Sequence, residues 1–343
     1  MPTTPLTTLK RIAEQLHVSE TTVSRILSGQ AARYRISKKT EHAVSQLARA
    51  HNFVPNPLAR GLRLKKTLSV GLVIPDISNP FFAGIAREVA LGARKRGYSV
   101  ILCDSQDDTG LEAQSIALLR SRRVDGIVLC PVGLASDHLR EFTENGLPIV
   151  LVDRCFSDLP LPYVGVDNLT GAKDATRHLI ENGHRHISCL QGLRGTSPNE
   201  SRLRGYIEAL AEHHLPLDRS LIVGGDSYGE ASGYIETKFL LQARKDVTAL
   251  LAFGNLIALG ALRALAEEKL RIPEDISIIS FDNQPYLAHL AAPMTTVDQP
   301  YAEMGQLAVT LLFDQVQPPG RALKGGALLP TNFIIRRSVR KLC

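Results

Sequence analysis

Glu20, Thr21 and Arg25 lie within one short segment, ETTVSRILS, and carry the chemistry that tells base pairs apart. An arginine can pair bidentately with guanine, a glutamate can accept from cytosine N4, and a threonine offers a hydroxyl or a methyl. Thr8, Thr22 and Ser24 nearby have hydroxyls suited to phosphate oxygens, contacts that position a protein without specifying sequence. The charge distribution agrees. Residues 1–66 hold twelve Lys and Arg against three acids, a net +9, whereas the whole chain of 343 residues carries +6. The body is therefore slightly acidic, and all of the positive excess sits in the first fifth. Such asymmetry predicts a polyanion-binding head on a near-neutral body.

These side chains need short, rigid elements to hold them. Thr8 is placed to cap a helix running from Leu9 to about Leu16, with Leu9, Ile12, Ala13 and Leu16 on one apolar face. His17-Val18 breaks the pattern. Ser19 then caps a second helix, joins the DNA-facing set at its N-terminal end, and leads to Gly29, a left-handed stop. A third amphipathic helix is predicted from about Ser37 to Asn52. Two short helices joined by a tight turn, followed by a third, form the helix-turn-helix pattern, whose second helix enters the major groove. Pro55 and Pro57 end the third helix, and Asn56 can cap a two-turn helix PLARGLR that is too short to persist alone in water.

From Ser69 onward the period changes. SVGLVIP, SVILCD, DGIVLCP, PIVLVD and YVGVD read as strands separated by helical stretches, and HISCLQG, SLIVGGD, ALLAFG, DISIISFD and MTTVDQ repeat the arrangement. The alternation predicts two doubly wound parallel sheets with ligand chemistry beyond the carboxyl ends of their strands. The fold class is thus an all-α helix-turn-helix head plus an α/β bilobed core.

Other features exclude classes. No run of about 18 apolar residues crosses a membrane, and MPTTPLTTLKRIAEQL lacks the h-region of a secretory signal. A cytoplasmic location is expected. Cys103, Cys130, Cys155, Cys189 and Cys343 have no metal spacing and read as thiols. His184 and His186 in GHRHIS are a weak metal pair. No dinucleotide fingerprint, Walker loop, nucleophile elbow or HExxH is present, so no enzyme, cofactor or metal is expected. A secreted sugar-binding protein conflicts with the basic head, and a ligand-free activator with the bilobed core.

The run TLKRIAEQLHVSETTVSRILSG, together with FVPNPLARGLRLKKTLSVGLVIPD, resembles the lactose-repressor/galactose-repressor (LacI/GalR) family of bacterial regulators over the whole chain. The connector GQAARYRIS is longer than is common there and is similar to fructose-repressor-like members, which puts Arg33, Tyr34 and Arg35 near the DNA backbone. Glu20 departs from the family and either selects cytosine or rejects wrong sites.

The resemblance implies that Leu62 wedges into a base step from the minor groove beside its dimer mate, with Ala59 packed next to it and Arg60 or Arg63 on phosphates. It implies a periplasmic-binding-protein-like core whose pocket holds Phe81, Phe82, Asp153, Arg154, Arg202, Tyr228 (or Ser227), Asn255 and Asp282, with Asp76 and Asn79 as weaker members. Two arginines against two aspartates leave the ligand's charge open, leaning towards an acidic sugar.

The expected domains are a head at 1–54, a hinge at 55–67 and a core at 68–343. Lobe 1 is expected at about 68–164 and 293–323, and lobe 2 at about 165–292 and 324–343. FIIRRSVRKLC is too short for a heptad tail, so a homodimer on a near-palindromic double-stranded operator is expected. A sugar, sugar acid or sugar phosphate would control it, with a nucleobase or a corepressor ligand as the alternative.

Overall fold

The computed structural model describes residues 8–27, 29–51, 53, 66–144, 146–316 and 325–342. The chain divides into two compact units, Met1–Thr67 and Leu68–Cys343.

The first unit contains α1 (Leu9–Gln15), α2 (Glu20–Leu27) and α3 (Lys38–Ala50). Local signals set their ends. Thr8 Oγ1 accepts from Arg11 N at 3.3 Å, Ser19 Oγ from Thr22 N at 3.1 Å and Ser37 Oγ from Thr40 N at 3.2 Å. Each bond satisfies one of the amides that a helix start leaves unpaired. Gly29 takes φ +70°, the left-handed stop its type predicts. Ile12, Ala13, Val23, Ile26, Ala31, Val44 and Ala48 form the buried core of this unit. Asn56, Ala59, Leu62 and Arg63, and the hinge helix expected of them, lie outside the described residues.

The second unit holds two six-stranded sheets. Its elements are β1 (Ser69–Ile74), α4 (Pro80–Lys95), β2 (Ser99–Asp104), α5 (Thr109–Ser121), β3 (Ile127–Leu129), α6 (Asp137–Glu144), β4 (Ile149–Val152) and β5 (Tyr163–Val166). Then follow α7 (Asn168–Glu181), β6 (Ile187–Gln191), α8 (Ser197–Glu212), β7 (Ile222–Gly224), α9 (Glu230–Ala243), β8 (Ala249–Ala252), α10 (Asn255–Glu267) and β9 (Ser277–Phe281). The chain ends with β10 (Thr295–Asp298), α11 (Tyr301–Val316), β11 (Gly326–Leu329) and β12 (Asn332–Ile334).

The sheet orders are β11-β5-β4-β3-β1-β2 and β12-β10-β9-β8-β6-β7. Period-two alternation sends each strand's side chains to two different cores. Val70, Leu72 and Ile74 of β1 pack with α4 and α11, whereas Val73 packs with Ile116 and Leu119 of α5. Each such fully buried side chain contributes about 1.5–3 kcal/mol. At Gly71 a Cβ would stand 2.5 Å from Leu119 Cδ1, so a larger residue there would force the Leu119 side chain of α5 to shift.

The topology corrects the expected lobe borders. The pattern along the sequence puts residues 295–298 in lobe 1, but β10 pairs with β9 in the second sheet. It puts residues 324–343 whole in lobe 2, but β11 pairs with β5 in the first sheet. Residues 165 and 166 belong to β5 and so also to the first sheet. The reason is that α11 buries Met304, Ala308, Val309, Leu312 and Phe313 against α4 and the first sheet, drawing the chain across after β10 and back again before β12. A further departure from all-parallel sheets is β12, which runs antiparallel to β10.

Candidate functional site

The head presents one polar face. Val23 and Ile26 turn inward on α2, leaving Glu20 and Thr21 exposed and Ser24 and Arg25 partly so. Ser19 and Thr22 bond to each other through their hydroxyls at 2.9 Å, and Thr8 is engaged as a cap. Arg33, Tyr34 and Arg35 are exposed on the connector before α3, and the guanidinium of Arg25 lies 3.8 Å above the Tyr34 ring centre.

In the core, the loops at the carboxyl ends of both sheets converge on a cavity of about 90 Å³. All eight residues expected there line it. Phe81 and Phe82, on the first turn of α4, meet edge to face at 5.1 Å. Asp153 and Arg154 follow β4, Tyr228 follows β7, Asn255 opens α10, Asp282 follows β9, and Arg202 reaches in from α8. Asp107 and Gln299, which the sequence reading did not name, and its weaker members Asp76 and Asn79 also line the cavity. Each follows a strand of its sheet, so the strand-end rule applied to β2 and β10 would have found the two that were missed.

The polar groups restrain one another. Arg202 is 3% exposed, so it is no surface ion-pair residue. Its Nε donates to Asn168 Oδ1 at 2.7 Å, its Nη1 donates to the Phe253 carbonyl, and its guanidinium stacks 4.0 Å from the Phe281 ring centre. Arg154 makes longer contacts, 3.4 Å to Asp107 Oδ1 and 3.5 Å to the Pro131 carbonyl, beneath the Tyr228 ring at 5.1 Å. The Pro131 loop is braced by buried Glu112, whose Oε2 accepts from Val132 N at 2.8 Å and whose Oε1 lies 2.6 Å from His138 Nε2.

Asp282 accepts from Gln299 Nε2 at 2.6 Å and Asn255 N at 3.1 Å. Asn255 Nδ2 donates to Asn79 Oδ1 at 2.9 Å and its Oδ1 accepts from Leu256 N. Among the described residues Gln299 Oε1 is buried without a hydrogen-bond partner. Burial pushes the Asp153 and Asp282 carboxyls above the usual range, against the pull of Arg154 and Arg202. Four carboxylates thus face two guanidiniums.

Asp153 and Asp282 also share a backbone state, φ 71° and 70°, at the ends of corresponding strands in the two lobes. Asp and Asn are the types that tolerate this region. A wider cavity of about 810 Å³ adjoins the site and shares Arg154, but holds none of the other seven.

The two histidines of GHRHIS have structural partners. His184 bridges Thr248 Oγ1 and the Arg340 carbonyl, and His186 pairs with Asp246 at 2.6 Å. Cys103, Cys130, Cys155 and Cys189 are free thiols. No helix among the described residues is long and apolar enough to cross a membrane.

Residues 8–56 match the family of bacterial regulatory proteins named for lacI, and residues 176–339 match a periplasmic binding protein-like domain. The HTH-type transcriptional repressor CytR of Escherichia coli (strain K12) is 34% identical over 336 residues, covering 98% of this chain and 97% of its own. The chain belongs to the lacI family. It is a DNA-binding transcriptional repressor with the family's helix-turn-helix head and two-lobed core. A solved LacI family regulator from Enterococcus faecium with bound ribose superposes with a TM-score of 0.72 at 29% identity, covering 80% of this chain and 100% of that one. The Lac repressor dimer bound to operator, 24% identical, has the same fold at a TM-score of 0.85 over 97% of this chain and 99% of that one.

Proposed function

We propose that this lacI-family repressor is controlled by a neutral, hydroxyl-rich small molecule of the sugar class bound in the interlobe cavity. One observation carries the reading, an excess of acceptors. Both guanidiniums already have protein acceptors, and the cavity adds Asp153, Asp282 and the unpartnered Gln299 Oε1. A ligand rich in O–H donors satisfies those groups, whereas an anion would be desolvated beside carboxylates that burial already disfavours. The acidic sugar favoured on sequence grounds fits less well, because its two arginines are matched. The regulator from Enterococcus faecium carries ribose, which supports the same class.

Two copies of the chain read a near-palindromic operator, one half-site each. Occupancy of the cavity changes the lobe angle and the spacing of the two hinge segments. The hinge helix capped by Asn56 then forms or melts, and with it the minor-groove wedge of Leu62 beside Ala59 and the phosphate contact of Arg60 or Arg63 are gained or lost. Effector and operator must alter each other's affinity by the same factor.

Thermal unfolding against a panel of sugars, sugar acids, sugar phosphates and nucleosides tests the ligand class. A ligand at 100 times its Kd adds about 2.7 kcal/mol. Stabilisation by neutral sugars alone is expected. A shift from sugar acids or phosphates alone would overturn the neutral class. A shift from nucleosides alone would move the effector to a base-bearing ligand.

A further inference from the structure

We propose that Tyr34 is a specificity-determining residue, the platform that holds Arg25 in the plane needed to read a base. The inference rests on Arg25 being a base contact. Arg25 lies in α2, whereas Tyr34 lies in the connector to α3, and the two meet face on, guanidinium carbon to ring centre at 3.8 Å. Among the described residues no hydrogen bond or ion pair ties the Arg25 N–H groups, so the aromatic face alone orients them. A stacked guanidinium keeps its donor edges outward and in one plane, which is the geometry that bidentate pairing with guanine demands.

The connector is built to hold the ring there. Ala31 is 2% exposed within the head core, and Ile36 packs against the same core. Backbone bonds run from Tyr34 N to the Gln30 carbonyl at 3.2 Å and from Ile36 N to the Ala31 carbonyl at 3.0 Å, and Arg35 takes φ 50° between them. Tyr34 itself is 42% exposed, so the platform contributes little to the core and can be replaced without collapsing it. Arg33 reaches the same ring only at 5.9 Å and is a poorer stacking partner. The connector thus acts through Arg25 and does not depend on a phosphate contact by the Tyr34 hydroxyl.

The experiment is binding-site selection from a random DNA library with the full-length protein, followed by competition between the selected site and single base-pair variants. Arg25→Ala should abolish the preference at one base pair of each half-site. If it does not, the role assigned to Arg25 fails, and the platform with it. With Arg25 established, Tyr34→Ala should relax discrimination at that same base pair by about two- to five-fold, the range for an exposed cation–π contact. Tyr34→Phe keeps the ring and should restore discrimination. Equal weakening of every site by both Tyr34→Ala and Tyr34→Phe would identify a hydroxyl–phosphate contact and overturn the platform. Unchanged discrimination in Tyr34→Ala would overturn it too.

Discussion

Asn255 Nδ2 donates to Asn79 Oδ1 at 2.9 Å, joining the starts of two helices that belong to different lobes. The same Oδ1 accepts from Phe81 N at 3.1 Å, so one oxygen both caps α4 and closes the cleft. This bond spans the cavity in which the effector is proposed to sit. A ligand that needs more room must break it.

Asn255→Ala removes the bridge and leaves the α4 cap. Urea unfolding should report a loss of about 0.5–1.5 kcal/mol, the net value of an internal hydrogen bond. Asn79→Ala removes bridge and cap together and should cost more, since a cap adds about 0.5–2 kcal/mol. Solution scattering should give a larger radius for Asn255→Ala than for the parent protein. An unchanged radius would mean that other contacts, such as Cys155 N to Ser197 Oγ at 3.1 Å, hold the lobes together.

Arg202 joins the Asn168 amide, the Phe253 carbonyl and the Phe281 face. A lysine keeps the charge but cannot reproduce the planar fork or the stack. Arg202→Lys should lose about 1.5–3 kcal/mol in denaturant titration and abolish the thermal shift produced by the effector. Full retention of the ligand-induced shift would remove Arg202 from the binding site.

The Asp153 carboxyl is raised in the folded protein by burial, opposed by Arg154 and Arg202. The folded state therefore binds more protons than the unfolded state between the ordinary carboxylate value, about 3.9, and the raised one. Its contribution to stability is fully present below that window and is lost as pH rises through the folded value. Asp153→Asn removes the contribution without disturbing the backbone, because Asn also tolerates φ 71°. Melting temperatures from pH 4 upward should move in favour of the variant until Asp153 is fully ionised. A difference that stays constant with pH would show that Asp153 titrates normally.

Arg33 is exposed on the connector of a head with a net charge of +9. Each phosphate neutralised on duplex DNA contributes about 0.9 to the slope of log affinity against log salt. Arg33→Ala should flatten that slope by about this amount on specific and non-specific DNA alike. An unaltered slope would take Arg33 off the phosphate backbone.

Much of the molecule was legible because its signals are local. Thr8, Ser19 and Ser37 sit at helix starts, Gly29 at a stop, and short apolar runs mark β1 and β4; each depends only on neighbours a few positions away. The eight cavity residues were placed by strand ends and family resemblance together. Pairing partners were not legible in the same way. Nothing near Thr295–Asp298 states that it joins β9, or that Gly326–Leu329 returns to β5.

Those choices follow from where α11 finds an apolar surface over 200 residues away in the chain, at α4. The same is true of Gln299, whose position beside Asp282 is set by β10 lying next to β9, and of the contact between Asn79 and Asn255. Arg25 and Tyr34 each had a chemistry readable from residue type, but only the packing of the connector on the head core brought guanidinium and ring together. Periodicity and capping act over a few residues and so are written along the chain. Strand order, crossing points and side-chain pairing are settled by burying distant apolar surfaces against one another, and they emerge only when the chain has folded.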